Sequence, residues 1–253
     1  MARMGGQRRL KALNTPAFWP ILRKKYKWTV KPRAGPHPSS MSLPLLIIVR
    51  NVLGLADTAR EARKIIAEGH IEVDGRIRKD YKYPVGIMDV VRIRDTGEAY
   101  RLIPYPVKFF ALHPIDGEEA KYKLSLIKDK TTVKRGDVQL NLHDGRNVLI
   151  RVQDPRNPVE DKYKTLGSLK ITIPEQEVVE YYPFEEGAIA IITGGRNVGR
   201  VGRIVEYKKG IRLHRSVVTI EDVRGSKFQT SMDYIFVIGR DKPEISLPEG
   251  AWK

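Results

Sequence analysis

At 253 residues with 41% apolar side chains, the chain is long enough for two or three small domains with real cores. No apolar run approaches the roughly 20 residues of a spanning helix, none being longer than the five residues of Leu45 to Val49, and the basic N-terminus lacks the apolar stretch of a secretory signal. The absence of cysteine excludes disulfides, thiolate zinc sites and a cysteine nucleophile, and the net charge of +16 calls for an anionic partner.

The charge is concentrated at the start. Residues 1–40 carry ten cations and no acid, namely Arg3, Arg8, Arg9, Lys11, Arg23, Lys24, Lys25, Lys27, Lys31 and Arg33, whereas the rest of the chain is close to balance. Phe18, Trp19, Tyr26 and Trp28 are interleaved with these cations. Thr15-Pro16 reads as a helix start, and Pro32, Pro36 and Pro38 keep the later part extended. A segment so short cannot bury its own rings. They either stack on the bases of a nucleic acid, with Arg and Lys on its phosphates, or dock on the globular part of the same chain; both readings stand. Trp19 and Trp28 are the stacking candidates.

Residues 41–94 read as helix–turn–helix–strand. Ser42 is an N-cap, Leu43, Leu46, Ile47 and Leu53 have helical spacing, and Gly54 ends the first helix. Thr58-Ala59-Arg60-Glu61 matches a capping box, Ala59, Ala62, Ile65 and Ile66 form an inner face, and Gly69 supplies the stop. Asp74-Gly75 is a tight-turn signal. A strict two-residue hairpin there would set Val73 opposite Arg76 and Ile71 opposite Arg78, mixing apolar and charged residues on one face, so a bulge or longer turn is expected. The stretch from Thr58 to Ile66, and on through Gly69-His70-Ile71-Glu72-Val73-Asp74-Gly75, resembles the small RNA-binding domain named for ribosomal protein S4. Val85 to Val91 resembles its closing strand, with Met88-Asp89 where that family often has Gly-Asp. The resemblance implies that the two helices and the following loop face RNA, which makes Arg50, Arg60, Arg63, Lys64, His70 and Arg76 the candidate contacts. The module also occurs in enzymes and does not decide function alone.

Residues 95–174 read as short strands at 100–103, 109–112, 122–127, 138–142, 148–152 and 169–173, divided by Asp116-Gly117, Arg135-Gly136 and Asp144-Gly145, a pattern that suits a small barrel. Glu118-Glu119 reads as the start of a short helix rather than a catalytic pair. The five histidines (His37, His70, His113, His143, His214) have no metal-like spacing and are expected at the surface or facing RNA.

In residues 175–253 an apolar strand runs into Thr193-Gly194-Gly195-Arg196-Asn197-Val198-Gly199-Arg200 and returns as a second strand. Gly194 and Gly199 have P-loop spacing, but Arg200 and Val201 stand where Lys and Ser or Thr are required, so no nucleotide site is expected. The stretch resembles the KOW motif, which implies an SH3-like barrel with Arg196, Asn197, Arg200 and Arg203 toward RNA.

Tail, module, β-rich middle and KOW motif in this order, with Asp233 to Gly239 and Ile245 to Pro248 at the end, resemble the archaeal and eukaryotic ribosomal protein S4e family over nearly the whole chain. The resemblance implies an α+β, multidomain protein of four parts (1–40, 41–94, 95–174 and 175–253). It further implies a structural constituent of the cytoplasmic small ribosomal subunit, partnered by small-subunit ribosomal RNA and neighbouring ribosomal proteins, with no cofactor and no membrane. Two other readings are an RNA-modifying enzyme such as a pseudouridine synthase, against which no convergent His and carboxylate motif is present, and a transcription or DNA-binding factor using the KOW barrel.

Overall fold

The structure, a computed structural model, describes residues 9–106, 109–154, 159–208, 210 and 216–248. Arg3, Arg8, His214 and the loop prolines Pro155 and Pro158 lie outside the described residues.

The tail folds. Strands β1 (Leu10–Lys11) and β2 (Trp28–Thr29) pair antiparallel and close the intervening loop at its neck. The helix expected at Thr15-Pro16 is absent. A 3₁₀ turn, Ala12–Asn14, precedes it, and the Thr15 hydroxyl donates back to the Ala12 carbonyl at 2.8 Å, ending the turn. Thr15 itself is extended (ψ 153°), as the steric demand of the following proline requires.

The module opens with β3 (Ser42–Pro44), not with a helix capped by Ser42. Leu43 precedes a proline and is pushed out of the helical region, so α1 (Leu45–Ile47) starts after Pro44, while the Ser42 hydroxyl donates to the Pro38 carbonyl. A wider turn, Ile48–Val52, continues α1, its Leu53 amide reaching five residues back to Ile48. Helix α2 (Ala59–Glu68) has both arms of its capping box: the Glu61 amide donates to Thr58 Oγ1 and the Thr58 amide to Glu61 Oε2, each at 3.2 Å. Gly69 ends it at φ +91°. Thr58→Ala is expected to cost about 1 kcal/mol, read as a lower urea midpoint together with faster hydrogen exchange at the Glu61 amide; an unchanged midpoint would refute the cap.

Strands β4 (Ile71–Val73) and β5 (Arg76–Ile77) form the strict two-residue hairpin that the charge pattern argued against, with Val73 opposite Arg76 and with Asp74 and Gly75 at φ +50° and +68°. It is tolerated because β5 is a two-residue edge strand whose side chains leave the core. Arg76 and Ile77 are exposed, and the Arg78 guanidinium lies 4.4 Å from the Tyr83 ring centroid. The closing strand is two strands, β6 (Pro84–Gly86) and β7 (Val90–Ile93), broken by a turn with Met88 at φ +66°. That left-handed position is one where glycine costs least; here the fully buried Met88 side chain offsets the strain. Strands β8 (Ala99–Tyr105) and β9 (Phe109–Ile115), placed in the middle segment from sequence, hydrogen bond into the module's sheet, whose order is β5-β4-β7-β8-β9.

After a 3₁₀ turn at Glu119–Lys121, the strands β10 (Tyr122–Thr132), β11 (Val138–Leu142), β12 (Asn147–Ile150), β13 (Ser168–Thr172) and β14 (Val178–Tyr182) form an antiparallel sheet ordered β12-β11-β10-β13-β14. The first half of β10 pairs with β13 and the second with β11, with a register shift between Ile127 and Asp129. The sheet therefore curls around its own core of Ile127, Leu140, Leu169 and Ile171. It is a half-barrel; among the described residues its edges β12 and β14 do not meet, so the closed barrel expected from strand spacing does not form.

The last sheet comprises β15 (Ile189–Ile192), β16 (Val201–Lys208), β17 (Val217–Glu221), β18 (Lys227–Ser231) and, after a 3₁₀ turn at Met232–Tyr234, β19 (Ile235–Gly239). Its order is β18-β17-β16-β15-β19, so the final strand returns to pair with the first. Ile191, Phe236 and Val237 join the module and Trp19 in one continuous core.

Candidate nucleic-acid interface

The folded tail and the module enclose a groove of about 1050 Å³. Seven cations line it: Arg9, Lys25, Lys27 and Lys31 from the tail and Arg50, Arg63 and Lys82 from the module. Asp57 is the one acid among the lining residues. Three rings face it, each with a cation near its centroid: Arg9 and Lys27 at 5.8 and 5.7 Å from Trp28, Lys25 at 5.6 Å from Tyr26, and Arg63 and Lys82 at 4.7 and 5.5 Å from Tyr81. Such contacts hold the charged ends near ring faces and leave the groove strongly cationic.

The two candidate tryptophans part company. Trp28 is 45% exposed on β2, whereas Trp19 is 3% exposed, inside the core, and offers no face to a base. Phe18 stacks on Phe109 at 4.9 Å and meets Phe110 edge-on. The tail's rings thus divide between docking and exposure. Arg23 is a structural residue, donating to the Thr15 and Pro16 carbonyls at 3.1 and 2.7 Å, and Arg33 pairs with Asp80 at 2.9 Å. Lys11, Lys24, Arg60, Lys64 and Arg76 are exposed but do not line the groove, and Lys64 reaches Glu68 at 3.9 Å. His70 sits between Asp95 (2.7 Å) and Glu68 (3.4 Å); the Asp95 hydrogen bond raises its pKa, and the two carboxylates make its surroundings unfavourable to phosphate. The glycine-loop cations form a separate group. Arg196, Arg200 and Arg203 are exposed, Arg200 lies 5.3 Å from the Phe228 centroid, and Asn197 approaches the Gln229 carbonyl at 3.5 Å. Sequence reasoning missed Tyr81 and Lys82, which follow β5 in a turn and carry no motif.

Beneath the module lies a buried ionic cluster that no sequence pattern announced. Lys123 Nζ contacts Asp74 (2.9 Å), Asp89 (2.5 Å) and Asp144 (3.0 Å), and Arg146 adds contacts to Asp74 (2.7 Å) and Asp144 (3.4 Å). His37 Nε2 lies 3.0 Å from Asp89. Tail, module and half-barrel thus meet at one set of charges. Burial works against every charge in it, yet Lys123 is held above its ordinary pKa by the three carboxylates. Despite its burial, Asp89 is held below its ordinary range by His37 and Lys123, and Asp144, to about 2, by Lys123, His143 and Arg146. The expectation that every histidine sits at the surface or faces RNA fails for His37, which is buried, and for His143, which is packed into the same junction. The Leu126 amide donates to His143 Nδ1 at 3.1 Å, so Nε2 carries the proton and faces the Ile87 carbonyl.

Burial lowers the His143 pKa to about 4. Its folded value lies below the unfolded one, so the unfolded chain takes up the proton first as pH falls. Stability is expected to decline as pH drops from about 6.5 toward 4, with Asp144 and Asp89 extending the loss below that. His143→Gln should remove the upper part of this slope in denaturation midpoints measured against pH; an unaltered profile would contradict the neutral imidazole packed at this junction.

These features define a β-rich, multidomain protein with a cationic groove between a folded basic tail and a small α/β module. Known families match it segment by segment: the RS4NT (NUC023) domain at residues 4–40, the S4 domain at 43–91 and the Ribosomal family S4e at 96–178. The chain is 68% identical to proteins named small ribosomal subunit protein eS4 from Staphylothermus marinus and Aeropyrum pernix, over 100% of both chains in each case. It is 49% identical to that of Methanothermobacter thermautotrophicus over 99% of this chain and 100% of the relative. The crystal structure of the 30S ribosomal protein S4e from Thermoplasma acidophilum superposes with a TM-score of 0.65 at 31% identity, covering 79% of this chain and 95% of that one. The chain belongs to the ribosomal protein S4e family, a structural rather than catalytic family.

Proposed function

We propose that this chain is a structural constituent of the small ribosomal subunit, in the cytoplasm, and that it holds small-subunit ribosomal RNA in the groove between tail and module. The observation that carries this reading is the groove's seven cations against one acid, supplied jointly by two segments. A polyanion is the partner that relieves such self-repulsion, and RNA adds bases for the rings. The glycine loop is a second RNA contact. The four-strand meander, short 3₁₀ turn and returning β19 support reading the last sheet as the SH3-like barrel of a KOW motif. Neighbouring small-subunit proteins are further partners.

The test is a Lys27→Ala/Arg50→Ala/Arg63→Ala variant titrated with small-subunit RNA at several salt concentrations. Affinity at low salt should fall, and the slope of log K against log salt should shrink by about 0.7–0.9 for each phosphate that is no longer neutralised, with thermal unfolding little changed. An unaltered slope would remove the groove from the interface. Tighter binding to duplex DNA than to structured RNA at matched salt would favour a transcription factor instead.

A further inference from the structure

The groove's aromatic side carries an inference about which form of RNA enters it. Resting on the RNA reading above, we propose that the groove is a site for an unpaired strand, with one base stacked on the Trp28 ring and the adjoining phosphates held by Arg9, Lys25 and Lys27.

Trp28 is not a ring on a loose arm. It sits on β2, whose pairing with β1 sets Lys11 opposite Trp28, and the Ala12 amide donates to the Lys27 carbonyl at 3.0 Å beside it. The other end of the loop is anchored by the buried Trp19 and by Asn51 Nδ2, which donates to the Pro20 carbonyl at 3.0 Å. A large ring is therefore held in place and 45% exposed, with Tyr26, 62% exposed, two residues before it. A ring held in place with nearly half its surface still exposed is suited to a flat apolar partner.

Duplex RNA offers no such partner. Its bases are stacked inside the helix, its major groove is too deep and narrow for side chains, and it presents phosphates and 2′-hydroxyls. Cations alone would serve a duplex. The groove instead alternates rings with cations at 4.7–5.8 Å, and mixes in apolar residues such as Ile21 and the exposed Leu22, which suit the face of a splayed base. Its volume of about 1050 Å³ is at the upper end of what drug-sized ligands occupy, enough for more than one nucleotide. Arg9, Lys25 and Lys27 make ring contacts but no ion pair among the described residues, so each can turn to a phosphate without breaking a salt bridge.

The experiment uses the full chain and three variants, Trp28→Leu, Trp28→Phe and Lys25→Ala/Lys27→Ala. Each is titrated with a short unstructured single-stranded RNA and with an RNA duplex of the same length, at one salt concentration. Stacking of a base on an aromatic ring corresponds to roughly 5- to 150-fold in affinity. Trp28→Leu should therefore weaken single-strand binding by about tenfold and leave duplex binding within about twofold. Trp28→Phe should restore most of the loss, which a purely structural role for bulk would not require, since leucine also supplies bulk. Wild-type tryptophan emission should change on adding the single strand, and much less so in Trp28→Phe. Equal losses on both RNAs, or none, in Trp28→Leu would overturn the stacking proposal. If the double lysine variant then still lowers affinity for both, the groove remains an RNA site of the ordinary electrostatic kind. If that variant too is without effect, the RNA reading of the groove falls with it.

Discussion

Lys123→Met is expected to destabilise the protein by about 3–5 kcal/mol, the cost of leaving buried carboxylates without their cation. Lys123 is fully buried and touches Asp74, Asp89 and Asp144 at once. Methionine nearly fills the volume and removes the charge, so Arg146 and His37 would be left to face three carboxylates. The damage falls at a junction. Asp74 lies in the turn just after β4 and accepts the Val90 amide, Asp89 accepts the Gly86 amide, and Asp144 lies in the turn between β11 and β12. Tail, module and half-barrel should therefore loosen together. Denaturation followed by guanidinium titration checks this, and Asp144→Asn placed on the Lys123→Met background should recover part of the loss by deleting one of the three carboxylate charges. Because Lys123 is held above its ordinary pKa, its contribution is complete below about pH 10.5 and fades only under more alkaline conditions. A Lys123→Met protein as stable as its parent would show that the carboxylates are hydrated rather than buried around it.

Gly199→Val should unfold the last sheet's packing against the module, with a loss of about 3 kcal/mol or more. Gly199 has φ +79°, where a β-branched residue is strained. A Cβ there would lie 2.4 Å from Pro106 Cδ, 2.5 Å from Pro106 N and 2.7 Å from the Tyr105 carbonyl carbon, where β8 ends and the turn after it begins. Backbone cannot swing aside as the tip of a long side chain can. Gly195 provides the control. Its φ is +80°, but the nearest atom to an added Cβ is 3.6 Å away on Tyr234. Gly195→Ala should cost only the left-handed penalty of roughly 1–2 kcal/mol. Melting curves for the two variants should separate widely; equal melting points would mean that packing against the β8–β9 turn contributes nothing.

Much of this was legible in the residues. The capping box at Thr58 and Glu61 is local chemistry, satisfied within four residues, and it forms as read. The six middle strands expected from alternation and turn signals fall on β8 to β13; β11 coincides with its expected span, β12 and β13 are shifted slightly, and β8, β9 and β10 run on beyond theirs. What escaped depends on contacts distant in sequence. Trp19 and Trp28 occur in the same cationic, proline-punctuated context, and only the closure of β1 on β2 sends one to the core and leaves the other exposed. Asp74 and Asp144 each precede a glycine and read only as turn signals, yet both turns fold inward onto Lys123. The start of α1 could have been read correctly, because the proline after Leu43 already argued for an extended backbone there. Arg50 and Arg63 were marked by family resemblance and Arg9 and Lys25 by charge; their meeting in one groove is a fact of the fold alone.

The groove between tail and module is expected to hold the protein on the small subunit. Its most direct test is sedimentation of small subunits with the tagged full chain and with a Lys27→Glu/Arg50→Glu/Arg63→Glu variant, each after a high-salt wash and each checked for an unchanged melting curve. The parent chain should remain in the small-subunit fraction and the variant should be washed away. A folded variant that stays bound as firmly as the parent, or a parent that washes away with it, would show that the groove does not hold the protein there.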